Sequence, residues 1–184
     1  MDRQPVLHGD RLTLRPLRPG DWDALFAVAS DREIWAGHPS HDRWQEPVFR
    51  AFFDEALAGG GALAIVDRLA PDGETIIGST RFGAPEAEAP GEIEIGWSFL
   101  ARAYWGLGYN AEFKALMLAH ALAHYDRAIF QVGADNAISR KAMANIGGRL
   151  VPGRSRSFER CGVMVDHVIF EITRESFALG PLSA

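Results

Sequence analysis

The chain has 184 residues, the size of one domain, so residues 1–184 are read as a single unit. With 47% hydrophobic and 23% charged residues it reads as a soluble globular protein rather than a disordered or fibrous one. A formal net charge of −5 argues against a broad nucleic-acid-binding face, which needs clustered basic residues. The single cysteine, Cys161, excludes an internal disulfide and fits a reducing compartment. The opening MDRQPVLHGDRL has no apolar leader core, and no stretch reaches the roughly 20 apolar residues of a membrane span. A cytoplasmic protein with no membrane partner is expected.

In chain order, Arg11–Arg15 alternates as an opening strand with Leu12 and Leu14 inward. Asp21 is placed to cap a helix that buries Leu25, Phe26 and Val28. A turn-rich stretch from Ile34 to His41 leads to Pro47, which opens a second helix carrying Phe49, Phe52 and Phe53 and stopped by Gly59–Gly61. Residues 62–67 and 75–82 read as a hairpin pair around Pro71-Asp72-Gly73. Ile93, Ile95, Trp97 and Phe99 then alternate with Glu92, Glu94, Gly96 and Ser98, the period of a strand with one face inward. A long helix runs from Gly108 to about Ala123. It is followed by a strand at Arg127–Val132, a short helix after Asn136, and two last strands around Glu159–Gly162. The mixture of short strands and helices predicts an α+β sandwich.

Two stretches carry chemistry. In the first, the strand ending in Glu94-Ile95-Gly96-Trp97 is followed by Gly106-Leu107-Gly108 at the mouth of the long helix. Glycines there let the backbone turn so that unpaired N–H groups face outward, and a helix N-terminus holds an anion without a basic side chain. In the second, Asn136-Ala-Ile-Ser139 follows a strand and closes at Gly147-Gly148.

Taken together, these pieces resemble the GNAT superfamily of acyl-CoA-dependent N-acyltransferases, in particular the branch typified by the RimJ and RimL ribosomal-protein acetyltransferases. The resemblance covers about residues 10–173. It implies the GNAT fold, a mixed, mostly antiparallel sheet with helices on both faces, in the order β-α-α-β-β-β-α-β-α-β-β. It also implies acetyl-CoA as co-substrate, with no metal, and an amine acceptor, either a peptide N-terminus or a small molecule. The cofactor would be held by backbone groups of Tyr104, Trp105, Gly106, Leu107, Gly108 and Tyr109, and by Asn136 and Ser139. The family pattern places Arg or Gln where this chain has Ala103, with Arg102 one residue early.

Transfer requires the ammonium to lose a proton and the thiolate to leave. The resemblance implies Glu94 as the base, with Glu92, on the same strand face, second. Both also read as solvated residues of an open strand face. Many relatives place a Tyr seven residues after the Asn; here that residue is Met143. Ser139 is then the hydroxyl for the thiolate, and the same residue also reads as a first-turn cap. Trp35, His38 and Glu94 are expected to meet the acceptor. Trp44, His41 and the Arg154–Arg160 segment would stand around it. A metal reading of the His38-x-x-His41 pair, with Asp42 next to it, has no evident third ligand. A non-catalytic acyl-CoA-binding module of the same fold stays open beside the enzyme, as do a monomer and a homodimer.

Overall fold

The computed structural model describes residues 1–87, 89–160 and 162–183, so Cys161 lies outside them. Eight strands form one sheet: β1 (Leu7–His8), β2 (Leu12–Pro16), β3 (Ala62–Asp67), β4 (Thr75–Phe82), β5 (Glu92–Leu100), β6 (Arg127–Gly133), β7 (Arg149–Arg160) and β8 (Val163–Thr173). The helices are α1 (Trp22–Ala29), α2 (Glu46–Gly59), α3 (Tyr109–Leu122), α4 (Ala137–Asn145) and α5 (Arg174–Ala178). The spatial order is β1-β2-β3-β4-β5-β6-β8-β7, antiparallel except for the parallel pair β5–β6. The expected order of elements is present, extended by the short β1 and by α5. Among the described residues no helix is long and apolar enough to cross a membrane.

The sheet separates two cores. On one face α3 buries Phe113, Met117, Leu118 and Ala121 against Leu12, Leu14, Ile93 and Ile95. On the other, α1 and α2 bury Leu25, Phe49, Phe52 and Phe53 against Ala64, Val66 and Phe99. Burying aromatic and aliphatic side chains on both faces is what holds the β-strands between helices. Asp21 stands at the start of α1 but makes no side-chain cap there. Its carboxylate instead takes both Nη groups of Arg15, at 2.7 and 2.8 Å, and the Arg18 N–H at 2.8 Å.

The single alternation expected along β5 is broken. Ser79 pairs with Phe99 but Arg81 pairs with Gly96, so Trp97 and Ser98 together oppose Thr80. That is a β-bulge, and Trp97 takes φ +52° within it. The extra residue reverses the facing: Ile93 and Ile95 belong to the α3 core, whereas Trp97 and Phe99 pack on the α1–α2 side. Beyond the bulge Ser98 faces α3. The β5–β6 ladder pairs Glu92, Ile93 and Glu94 with Arg127, Ala128 and Ile129, and no later pair follows. The two strands therefore separate just after Glu94.

Candidate active site

The separation of β5 from β6 opens a gap in the sheet. A cavity of about 160 Å³ fills it, lined by Gly96, Trp97, Ser98, Lys114, Gln131 and Asn136, among others. An open cleft of about 850 Å³ adjoins it and runs past Leu100 and Gly106 to the start of α3, with Ile138 and Ser139 of α4 opposite. Ser98, Asn110, Asn136 and Ser139 border both spaces. The Gly-x-Gly turn and the Asn-x-x-Ser segment, 28 positions apart from Gly108 to Asn136, thus face one continuous channel.

Gly106 and Gly108 have φ of +74° and +85°, the left-handed region open to glycine. A Cβ on Gly106 would meet nothing within 4 Å, so the turn is exposed to the cleft. The first N–H to bond back within α3 is that of Glu112, to Gly108 O at 3.1 Å. The donors before it are the unpaired set of a helix start. Two of the six backbone positions expected to hold the cofactor differ. The N–H groups of Tyr104 and Trp105 already bond to Ala101 O and Arg102 O, at 3.0 Å each, in a 3-10 turn. Trp105 and Tyr104 still line the cleft. Arg102 also borders it, with its guanidinium held by Asp31.

Asn136 and Ser139 divide the roles proposed for them. Asn136 Oδ1 accepts the Ser139 N–H at 3.0 Å, so Asn136 caps α4. The Ser139 side chain takes no part in that cap. Ser139 is half-buried and lines both spaces, and Met143, which is buried, lines the smaller one.

Glu92 and Glu94 differ sharply. Glu92 is 3% exposed and accepts from Arg154 Nη1 and Nη2, each at 2.7 Å, with Arg127 Nε at 3.7 Å. Neither residue is solvated on an open face, as one expectation had it. Glu94 lies at the apex of the gap, where Gln131 Nε2 donates to it at 3.1 Å. Burial raises its carboxyl to about 7, against the lowering effects of Gln131 and the Arg81 charge. Such a group is a carboxylate poised to take a proton near neutrality.

A family model described as an acetyltransferase (GNAT) domain matches residues 11–149. The chain belongs to the GNAT acetyltransferase family. Its fold is shared with a GCN5-related N-acetyltransferase from Brucella melitensis, at TM-score 0.76 and 20% identity over 98% of this chain and 82% of that one. An acetyltransferase from Agrobacterium tumefaciens aligns at TM-score 0.64 and 26% identity, covering 92% and 95%. Mycobacterium smegmatis RimJ, solved with CoA-disulfide, aligns at TM-score 0.67 and 22% identity, covering 93% and 86%. GNAT proteins use acetyl-CoA, and the channel from the α3 N-terminus to the gap is the feature that fits such a ligand here.

Trp35 and His38, expected to meet the acceptor, border the cleft, Trp35 buried and His38 half-buried. Trp35 is 1% exposed and its Nε1 donates to Ala29 O at 2.7 Å. His38 Nδ1 accepts the Ser40 N–H at 2.9 Å. Burial, followed by the charges of Arg43, His167 and Arg160, lowers His38 to about 3, so its ring is neutral. His41 is exposed, and among the described residues no three His, Cys, Asp or Glu side chains gather. Trp44 packs at the edge of the α1–α2 core. Phe158 meets His167 edge-on at 5.3 Å, with Arg160 above its ring.

Sequence reasoning passed over Lys114. It is 5% exposed, lines the smaller cavity, and donates to Ser98 Oγ at 2.8 Å. The rings of Phe113 and Phe130 lie 5.1 and 5.2 Å from Nζ. Burial alone brings its ammonium down to about 7. The signal was present: position 114 lies one turn before Met117 and Leu118, on the core-facing stripe of α3.

Proposed function

We propose that this protein transfers an acetyl group from acetyl-CoA to a primary amine by direct attack, with Glu94 as the base. The observation that carries the reading is the desolvated Glu94 carboxylate at the last β5–β6 pair, hydrogen-bonded to Gln131, which lines the smaller cavity adjoining the cleft of the Gly-x-Gly turn. A carboxyl raised to about 7 at that apex favours an enzyme over a non-catalytic binding module.

The donors from Gly106 to Ala111 would hold the pyrophosphate, and Asn136 with the walls of the gap would hold the pantetheine arm. The bound co-substrate supplies an activated acetyl thioester. Glu94 accepts a proton from the acceptor ammonium, whose ordinary pKa of about 10.4 leaves little free amine at neutral pH. Ser139 Oγ offers a hydrogen bond to sulfur where Met143 has no proton to give. The acceptor is a primary amine, either a peptide N-terminus or a small molecule.

Thiol release from acetyl-CoA in the presence of pooled amines tests the reading. Amine-dependent release with a matching mass increase of the acceptor is the expected result. CoA binding without release on any amine would contradict it.

A further inference from the structure

The least satisfied buried cation lies beside the proposed base. Arg81 of β4 pairs across the sheet with Gly96, and its side chain is 7% exposed. A Cβ on Gly96 would come within 3.3 Å of Glu94 Oε1, so the Glu94 carboxylate lies over the residue that Arg81 faces. Arg81 Nη1 reaches Glu55 Oε1 at 3.3 Å, at the solvent edge, where the Glu55 side chain is 69% exposed. Its Nε and Nη2 are buried and have no hydrogen-bond partner among the described residues. The guanidinium lies 4.9 Å from the ring of Trp97, which lines the smaller cavity, and 5.4 Å from that of Phe52. Arg43 lies over the same Phe52 ring at 4.3 Å.

Nε and Nη2 form the edge of a guanidinium whose two N–H bonds run parallel and fit the two oxygens of a carboxylate. Buried donors of a charged group are seldom left open, because each lost hydrogen bond is destabilising. The ordinary partner would be a protein carboxylate, yet Glu94 bonds to Gln131 and Glu55 takes only Nη1.

We propose that the acceptor carries a carboxylate close to its reactive amine, and that the Nε–Nη2 edge of Arg81 binds it while the ammonium faces Glu94. The ligand is therefore a small zwitterionic amino acid rather than a peptide N-terminus, whose first residue presents an amide in that place. Arg81 and Glu94 lie on neighbouring strands at diagonal positions, whose Cβ atoms stand somewhat less than about 7–8 Å apart, a span suited to an amine and a carboxylate a few bonds apart. A carboxylate also suits the site better than a phosphate dianion, because Glu94 adds negative charge next to Arg81. Arg81 is then a specificity residue for the acceptor. This assignment rests on the reading of Glu94 as the base.

The test compares free amino acids with their carboxamides, which differ only at the carboxyl group. Acetyl transfer would be followed by thiol release, and binding of the same pairs to the protein without CoA by calorimetry. The acids should exceed the amides by roughly tenfold or more in kcat/KM, as expected for a paired charge-assisted contact. In Arg81→Gln that preference should shrink to about twofold, with Arg81→Lys intermediate, since lysine keeps the charge without the fork. Circular dichroism and CoA affinity would establish that each variant is folded. Equal use of amides, a preference unchanged in Arg81→Gln, or failure of every free amino acid both to bind and to react would overturn the assignment. Transfer to carboxylate-free amines alone would overturn it while leaving the acetyltransferase reading intact, whereas loss of CoA binding strikes that reading instead.

Discussion

Arg154 grips both oxygens of Glu92 at 2.7 Å, while Glu94, two residues along the same strand, receives a single amide hydrogen bond from Gln131 at 3.1 Å. Two carboxylates that look equivalent in the sequence therefore have opposite tasks. Glu92 joins β5 to β7 across the sheet and is satisfied in its charged form. Glu94 is desolvated without a cation bonded to it.

The first prediction follows from that pairing. Glu92→Gln should lower stability by about 2–3 kcal/mol, somewhat less than the roughly 3–5 kcal/mol of a fully buried ion pair, because Arg154 keeps some solvent contact. For a chain of this size that is a fall in Tm of roughly 4–12 °C. Once folded, the variant should retain most of its kcat/KM. Unchanged melting with a large loss of turnover would reverse the assignments of Glu92 and Glu94.

The succession of elements along the chain, apart from β1 and α5, and the two glycine-bearing motifs were legible in the sequence because hydrophobic period and turn chemistry are local signals. Leu12 and Leu14 face inward as their alternation implied. The β5 bulge was not legible: Trp97 and Phe99 continue the alternation of Ile93 and Ile95 in the sequence, and only pairing with Thr80 reverses their facing. Glu92 and Glu94 were inseparable for a similar reason, since Arg154 lies 62 positions from Glu92. Arg81 and Lys114 escaped notice because a basic residue on an element reads as solvated until neighbouring elements bury it.

Ser139 and Asn136 can be separated by stability. Asn136→Ala removes the α4 cap and should lower stability by about 1 kcal/mol. Ser139→Ala leaves that cap intact, so thermal melting should barely change. If Ser139 Oγ serves the thiolate, kcat should fall by roughly tenfold to a hundredfold, by the usual worth of a hydrogen bond to a charged group. A lower Tm with normal turnover in Ser139→Ala would remove Ser139 from the chemistry.

Lys114 gives a pH signature. Its folded pKa of about 7 lies below the ordinary 10.5, so the folded state releases a proton that the unfolded chain keeps. Its contribution to stability is therefore present above about pH 10.5 and is lost as pH falls through about 7. Lys114→Met, similar in length and uncharged, should be more stable than the native protein at pH 7, with the gap narrowing toward pH 10. Melting curves of both proteins over that range check it. A gap that does not depend on pH would show that Lys114 is charged and satisfied when folded.

Gly106 tests the anion-binding turn. Gly106→Val forces a β-branched residue into φ +74°, and no neighbour within 4 Å of the added Cβ compensates. Calorimetry should show CoA affinity reduced at least tenfold with circular dichroism unchanged. Native affinity in a folded variant would remove the turn from the cofactor site.

The central claim is that Glu94 takes the proton, and the pH dependence of kcat/KM for the native protein and Glu94→Gln tests it most directly. Because the base acts only when ionised, activity should rise with pH through about 7, the value to which burial raises this carboxyl. The same shift makes stability attributable to Glu94 fall as pH rises from about 4.5 through about 7, so both quantities should be recorded together. In Glu94→Gln the step near 7 should vanish and kcat/KM should drop by roughly 10²–10⁴-fold with CoA affinity preserved. A Glu94→Gln protein that keeps both the native rate and the step near pH 7 would contradict the account.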